Sequence, residues 1–339
     1  MIIDFHTHTF PDHMAEKTVT KLGKSCRIYA FSDGTQEGLR RNEEKAGIDL
    51  AVIQPVATTA HAVPHINDSA IRINQNEKET TGTRLLSFGC IHPEYGDYKE
   101  ELRRIAAAGV PGIKLHPYFH GCDMDDIRYL RILDAAAENG LIVLTHAGYD
   151  QGFPGEHNCT VPMLRKAALS VKGITLIAAH MGGWKEWEQV PDLLADTGIY
   201  LDSSFAVGHI RPEEGAEAYW NTGSFKPDPG MLSCREREVL SKQTGESTGD
   251  PDKGSSCKRM TGFQEEAKRR CVFGNTQLLK PEEFAVIVRA FPKGHVVFAT
   301  DSPWSDPAES ISFIRSAPLS EEETEDILGR TAQKLLRYD

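Results

Sequence analysis

The chain has 339 residues, of which 40% are hydrophobic and 26% are charged. This composition excludes disorder as the main state, and the longest apolar runs fall far short of the ~20 residues that a membrane-spanning helix needs. The formal net charge of −11 argues against a nucleic-acid-binding protein. We therefore expect a globular enzyme or binding protein with no nucleic-acid partner and no membrane partner.

The cysteines and the first residues indicate a compartment. The chain starts directly with an apolar strand and no basic leader, and its seven cysteines form no Cys-x-x-Cys pair. An odd number of scattered cysteines, in a chain without a basic leader, is typical of a protein with reduced thiols. The expected location is cytoplasmic, and the sequence leaves a homo-oligomer open.

Eight short apolar segments, rich in Ile, Val and Leu, recur along the chain. They are 2–8, 50–56, 85–92, 112–118, 141–148, 175–181, 200–205 and 295–301. The segments do not alternate cleanly with polar residues. This pattern favours parallel strands that are buried on both faces.

Helical segments with the usual start and stop residues lie between these strands. The clearest are 98–108, 125–139, 161–171 and a last helix to residue 336, which begins with the capping box Ser320-x-x-Glu323. Strand and helix in eightfold alternation predict an α/β protein of the (β/α)₈ TIM-barrel type. A doubly wound sheet is the alternative, but the first strand ends in His-Thr-His and not in a Gly-rich nucleotide loop.

A long insertion, 223–280, is predicted between strands seven and eight of a single domain that spans 1–339. Its middle, 242–259, has no aliphatic residue and is rich in Gly, Ser and Asp, which indicates a solvated loop. Helices are expected at 231–241, 262–271 and 281–291. The sequence leaves two roles for this insertion: a lid over the barrel mouth, or a decoration of the surface.

Chemistry-bearing side chains collect at the predicted strand ends. His6 and His8 are two apart on strand one, so they point to the same side. The other strand ends carry His92, Lys114, His116, His146, His180 and Asp301. Barrel active sites are built at the carboxyl ends of the strands. The joint pattern therefore predicts a metal site, although each histidine alone would be read as a packed residue.

Three imidazoles with one carboxylate suit Zn²⁺ best and would also take Mn²⁺, Fe²⁺, Co²⁺ or Ni²⁺. A metal with an open position lowers the pKa of a bound water to ~7. Asp301 could hold the metal and accept the proton of that water. His180 could orient or deprotonate the nucleophile, or polarise the substrate.

Counting by twos back from the strand-end groups predicts which side chains fill the barrel. The predicted interior residues are Ile142, Leu144, Leu176, Ala178, Val297 and Ala299. Val143, Ile177 and Phe298 are predicted to face the outer helices.

Taken together, these motifs resemble the amidohydrolase superfamily, and within it the amidohydrolase-related branch that includes aminocarboxymuconate-semialdehyde decarboxylase. The matching segments are 4–11 (DFHTHTFP), 112–117 (GIKLHP), 145–148 (THAG), 179–183 (AHMGG) and 299–304 (ATDSPW). The likeness covers nearly the whole chain except about 223–280. It implies a metal-dependent TIM-barrel enzyme.

The resemblance also implies roles for individual residues. His6, His8, His146 and Asp301 become metal ligands, and His180 becomes the catalytic histidine. One ion is favoured over two.

Lys114 stays open between three roles: a carboxylated bridge between two metals, a cation for a substrate carboxylate, and a structural ion-pair partner. His116 and Trp304 are candidate substrate-binding residues. The alternative for His116 is a hydrogen-bonded position at the rim, and the alternative for Trp304 is packing under the barrel mouth.

Three functions are compatible with these residues. The first is a hydrolase that uses metal-activated water on a small-molecule amide, ester or lactone. The second is a metal-dependent, non-oxidative decarboxylase of a small unsaturated or aromatic acid. The third is a metal-binding barrel without catalytic activity.

Overall fold

Parallel strands form the centre of the molecule, as predicted. The computed structural model describes residues 1–76, 82–216 and 278–338. Its strands are β1 (Ile3–Thr7), β2 (Ile28–Tyr29), β3 (Leu50–Ile53), β4 (Arg84–Ser87), β5 (Gly89–Cys90), β6 (Gly112–Leu115), β7 (Ile142–Thr145), β8 (Thr175–Ala178), β9 (Tyr200–Asp202), β10 (Arg211–Pro212) and β11 (Val296–Val297). Each of the eight predicted strands contains at least one of these elements.

The strands follow one another around a barrel. β1, β3 and β4 pair in parallel, and so do β5, β6, β7, β8, β9 and β11 in that order. Only Phe88 separates β4 from β5. At the other junction, Phe5 N donates to Phe298 O at 2.9 Å and Asp301 N donates to His6 O at 2.8 Å. The predicted (β/α)₈ TIM barrel is therefore confirmed.

Helices cover the outside of this barrel. They are α1 (Asp12–Cys26), α2 (Gln36–Ala46), α3 (Val63–Asn76), α4 (Tyr98–Ala107), α5 (Pro117–His120), α6 (Ile127–Glu138), α7 (Val161–Ser170), α8 (Val190–Leu194), α9 (Pro281–Ala290), α10 (Pro307–Ser316), α11 (Glu321–Glu325) and α12 (Thr331–Leu336). A π-helical turn, Asp326–Arg330, separates α11 from α12. The predicted capping box is present, with Glu323 N donating to Ser320 Oγ at 3.2 Å.

The barrel interior contains one of the hydrophobic clusters, and it corrects part of the predicted alternation. Ile142, Leu144, Val297 and Ala299 pack there, as predicted. On β8 the prediction was wrong. The interior residues are Ile177 and Ala179, whereas Leu176 and Ala178 pack in the cluster that includes the helices. The count from His180 failed because this residue has a φ of 57°, so the extended alternation stops before it.

A β-bulge in β1 aims the His-x-His motif at the barrel mouth. Asp4 pairs with Ala51 and Thr7 pairs with Ile53, so β1 has one more residue than β3 in this interval. Phe5 packs in the interior cluster, and the extra residue allows the next side chain, His6, to reach the mouth as well.

Other parts of the chain could not be predicted in the same way. The antiparallel pair of β2 with β10 was not predicted, because strands of two residues carry no periodicity. The predicted helix 281–291 corresponds to α9. The predicted helices 231–241 and 262–271 and the loop 242–259 lie outside the described residues, so the role of the insertion stays a prediction. Within the described ranges, the structure contains no helix with the length and apolarity to cross a membrane.

Candidate metal centre

Five histidines form a continuous row at the carboxyl ends of the strands. The ring centroids of His8 and His6 are 5.0 Å apart, and those of His6 and His180 are 5.7 Å apart. The row continues from His180 to His146 and from His146 to His116, each step 4.7 Å. The barrel thus brings together residues that lie far apart in the chain.

The first group of potential ligands consists of His6 in β1, His8 directly after β1, and Asp301 in the segment after β11. The two Nε2 atoms are 3.1 Å apart. Asp301 Oδ1 lies 2.9 Å from Nε2 of His8 and 3.4 Å from Nε2 of His6. The predicted ligands on strands one and eight therefore converge on one point.

Hydrogen bonds on the far side of each ring fix the orientation of both imidazoles. His8 Nδ1 donates to the carbonyl oxygen of Gln54 at 2.8 Å. His6 Nδ1 donates to Asp202 Oδ2 at 2.9 Å. Since each neutral ring carries one hydrogen, both Nε2 atoms present lone pairs toward the Asp301 carboxylate. Two imidazole lone pairs and a carboxylate that face one another are a donor set that fits a divalent metal ion.

Burial and neighbouring charges keep these groups in ligand form. Burial, and then the charge of Lys114, hold the pKa of His6 well below its ordinary value. Burial alone would raise the pKa of the Asp301 carboxyl, but His6 and His8 outweigh it and keep this pKa below the usual range. Asp301 also has a φ of 64°, a strained conformation for a residue with a side chain, which is typical of functional sites.

Lys114 lies against this first group. Its side chain is buried, and Nζ is 2.9 Å from Nε2 of His6. Burial lowers the pKa of Lys114 to about 8, against the opposing effect of Asp202 and Asp301. The amine is thus a neighbour of the potential ligands, while its three predicted roles stay predictions.

His180 connects the first group to a second one. Its Nδ1 lies 2.9 Å from the carbonyl oxygen of Ser204, and its backbone N donates to Asp202 Oδ1 at 3.0 Å. Its Nε2 lies 3.1 Å from Nδ1 of His146. Burial lowers the pKa of His180, so the ring is in its neutral form.

The second group of potential ligands consists of His116, His146 and Asp150. Asp150 Oδ2 lies 3.6 Å from Nε2 of His116 and 3.9 Å from Nε2 of His146. His146 therefore adjoins the first group through His180 but directs its Nε2 elsewhere. Its assignment as a fourth ligand of the first ion stays a prediction.

The two candidate substrate contacts differ in position. His116 lies in the second group, next to Phe119, with ring centroids 4.6 Å apart. Trp304 packs against the outer core, near Gly23 of α1. Substrate binding by either residue stays a prediction.

Several groups that hold the site together were not predicted from the sequence. They are Asp202, Ser204, Gln54 and Asp150. The one usable signal was the carboxylate of Asp202, which lies inside the predicted strand 200–205 and at the end of the observed strand β9.

Comparisons with known proteins identify the class. The family model described as amidohydrolase matches residues 3–230, more than half of the chain. The chain therefore belongs to the amidohydrolase family, and it is an enzyme of the metal-dependent amidohydrolase superfamily. A comparison with curated proteins gave no match.

Solved structures with the same fold include decarboxylases and a hydrolase. The 5-carboxyvanillate decarboxylase of Sphingomonas paucimobilis is 14% identical, with a TM-score of 0.56 over 99% of this chain and 98% of that chain. A manganese-bound 5-carboxyvanillate decarboxylase of Novosphingobium aromaticivorans is 12% identical, with a TM-score of 0.57 over 99% and 97%. A probable 2-pyrone-4,6-dicarboxylic acid hydrolase of Acinetobacter baumannii is 12% identical, with a TM-score of 0.52 over 99% of both chains.

Proposed function

We propose that the chain is a metal-dependent hydrolase of a small-molecule amide, ester or lactone. The observation that carries this proposal is the Asp301 carboxylate within 3.4 Å of two imidazole nitrogens that present lone pairs. His6, His8 and Asp301 would hold a catalytic divalent ion, with zinc as the first choice for two imidazoles and a carboxylate. When bound, such an ion lowers the pKa of a water and polarises a carbonyl oxygen.

The protein groups around the ion have separate tasks. Asp301 would accept the proton of the attacking water, because its carboxylate lies beside both imidazoles at the point where the ion would be held. His180 carries its hydrogen on Nδ1, which faces the Ser204 carbonyl, and its Nε2 lies 3.1 Å from Nδ1 of His146, between the two ligand groups. From this position His180 orients the nucleophile or the substrate.

Non-oxidative decarboxylation is the second candidate, and a specific observation favours it. The buried amine of Lys114 lies at the metal group, where it could pair with a substrate carboxylate. An aromatic wall stands beside His116, with the rings of Phe119 and Phe153 5.0 Å apart. A planar aromatic or unsaturated acid would fit these surroundings, and the two 5-carboxyvanillate decarboxylases of similar fold act on an aromatic acid.

A substrate panel separates the two reactions. The zinc-loaded chain is offered amides, esters and lactones with acid release as the readout, and hydroxybenzoates and muconate-like acids with carbon dioxide release as the readout. We expect acid release that disappears in Asp301→Asn and in the chelated chain. Release of carbon dioxide instead assigns the second reaction, and undiminished turnover by the metal-free chain refutes both.

Glu156→Gln is the matched control, because this exposed acidic residue is in neither ligand group. It should leave turnover unchanged.

A further inference from the structure

We propose that the hydroxyl group of Ser204 is a positioning group that orients the rings of His6 and His180 together. The first ring is a potential metal ligand, and the second orients the nucleophile or the substrate in the proposed reaction. A single buried oxygen thus connects metal binding with turnover. The part that concerns turnover rests on the proposed function, whereas ring orientation and zinc affinity can be measured without a substrate.

The hydroxyl lies between the two rings. Ser204 Oγ is 3.0 Å from Nδ1 of His6 and 3.0 Å from Nδ1 of His180. The same oxygen lies 2.5 Å from Oδ1 of Asp202. No more than 4% of any of these four residues is exposed to solvent. Bulk water therefore has little access to these contacts.

The hydrogens of this group have one consistent assignment. The Asp202 carboxylate only accepts, so the hydroxyl of Ser204 donates to its Oδ1. The two lone pairs of Ser204 Oγ then accept from Nδ1 of both rings. A second acceptor requires the same tautomer of each ring: Oδ2 of Asp202 for His6, and the carbonyl oxygen of Ser204 for His180. The hydroxyl donates once and accepts twice, which is its full capacity.

The shared acceptor adds a constraint that the separate acceptors lack. The bond from His6 to Asp202 and the bond from His180 to the Ser204 carbonyl each orient one ring alone. An oxygen that accepts from both rings also fixes one ring relative to the other. The two ring planes are 29° apart, with centroids at 5.7 Å. Their Nε2 atoms are therefore held in one joint arrangement.

Backbone contacts hold Ser204 at this point. Its backbone N donates to Oδ1 of Asp202 at 3.0 Å, which is the local turn that an Asp side chain forms with the residue two positions later. Because β9 ends at Asp202, this turn lies at the carboxyl end of a barrel strand.

The neighbouring Ser203 has a different task. It is as deeply buried as Ser204, but its Oγ donates to the carbonyl oxygen of Ala299 and accepts from Ala299 N, both at 2.9 Å. Ser203 thus connects β9 to the segment after β11 and does not contact a histidine through its hydroxyl. Ser203→Ala is therefore the matched control for Ser204→Ala.

Zinc affinity provides the first test. In Ser204→Ala, His6 still donates to Asp202 and His180 still donates to the carbonyl of residue 204, so no buried donor is stranded and the variant should fold. We expect its Kd for Zn²⁺ to rise about tenfold, the lower end of the range for the loss of a group that supports a ligand. Ser204→Thr keeps the hydroxyl and should restore most of the affinity. Ser203→Ala should lower stability and leave the Kd unchanged.

NMR of the imidazole groups in the metal-free, ¹⁵N-labelled protein tests the geometry. In Ser204→Ala the Nδ1–H resonances of His6 and His180 should both shift, because both rings lose the same acceptor. In Ser203→Ala neither resonance should shift. A shift of one ring alone, or of neither, overturns the proposal, as does an unchanged zinc affinity in Ser204→Ala.

A double variant tests the connection to turnover. At saturating zinc, Ser204→Ala should lower kcat about tenfold with KM unchanged. Added to His180→Asn it should lower kcat no further, because the hydroxyl affects turnover through the ring of His180. A full tenfold loss in that background overturns the proposal. If no substrate is turned over by the wild type, the proposed function fails, while the resonances and the zinc affinity still decide the role of Ser204.

Discussion

Nζ of Lys114 lies 2.9 Å from Nε2 of His6, so a buried amine touches a nitrogen whose lone pair is directed at Asp301. In its charged form this amine places a positive charge beside the point where a metal ion would bind His6, and the two charges repel each other. Substitution of Lys114 therefore tests whether this charge weakens metal binding by the first group of ligands.

Lys114→Met should strengthen zinc binding. An ammonium group this close to a ligand atom repels a divalent ion, and methionine has a similar length without the charge. We expect the Kd for Zn²⁺ to fall by at least about tenfold, which corresponds to about 1.4 kcal/mol. Competition with a chromophoric chelator measures this change.

Lys166→Met is the control, because Lys166 forms a surface ion pair with Asp125. Weaker zinc binding in Lys114→Met would contradict the prediction and make Lys114 a ligand. Mass spectrometry of the native protein would then reveal whether the amine is carboxylated.

Asp202→Asn should weaken metal binding without removing a ligand. One carboxylate oxygen accepts from His6 Nδ1 at 2.9 Å, and the other accepts from His180 N and Ser204 N, each at 3.0 Å. An amide in this position no longer fixes the tautomer of His6. Loss of such a supporting group typically costs about 10- to 100-fold in metal affinity.

Zinc titration of the folded variant checks this prediction, with Asp196→Asn as the control. Asp196 pairs with Arg165 at the surface, away from both ligand groups. An unchanged zinc affinity in Asp202→Asn would mean that His6 is oriented by other contacts.

His180→Asn should separate catalysis from metal binding. His180 belongs to neither ligand group, yet its ring lies between them. We expect kcat to fall by about 10²- to 10⁴-fold, the range of a lost acid–base or orienting group, while zinc stoichiometry stays the same. Turnover of whichever panel substrate is accepted, measured beside metal content, provides both readouts. Loss of zinc together with activity would instead identify His180 as a ligand.

The site residues that could be predicted from the sequence share one property: they lie at strand ends. Parallel strands of a barrel bring their carboxyl ends to one mouth, so His6, His8, His180 and Asp301 could be predicted to lie near one another from their positions alone. Asp202 follows the same rule in the structure, but it was overlooked because the predicted strand extended to residue 205 and placed Asp202 in its interior.

The residues that were missed or placed on the wrong face depend on local backbone geometry. Asp150 reaches His116 and His146 only because the loop after Gly148 packs against Trp184, a contact between distant segments. The alternation on β8 ended at the left-handed backbone of His180, and no periodic pattern records such a break. Fold class is encoded in repeated patterns, whereas loop conformation depends on single tertiary contacts.

Glu43→Gln should make the protein more stable at neutral and alkaline pH. Glu43 on α2 is fully buried, and its two carboxylate oxygens lack hydrogen-bond partners in the described ranges. Burial, and then repulsion from Asp4, raise the pKa of this carboxyl well above its ordinary value. The folded chain thus keeps a proton that the unfolded chain releases above pH about 4.3.

Because the folded state binds more protons, the free energy of unfolding falls as the pH rises from that value through the folded-state pKa. Glutamine has the same shape and does not ionise, so the variant lacks this loss. We expect the metal-free variant to equal the wild type at pH 4 and to exceed it at pH 8 by more than about 1 kcal/mol, roughly the worth of one pKa unit. Urea unfolding across this pH range measures the difference.

Glu44→Gln, which changes the exposed neighbour, should show no such pH dependence. Parallel curves for wild type and Glu43→Gln at every pH would show that Glu43 is ionised in the folded protein.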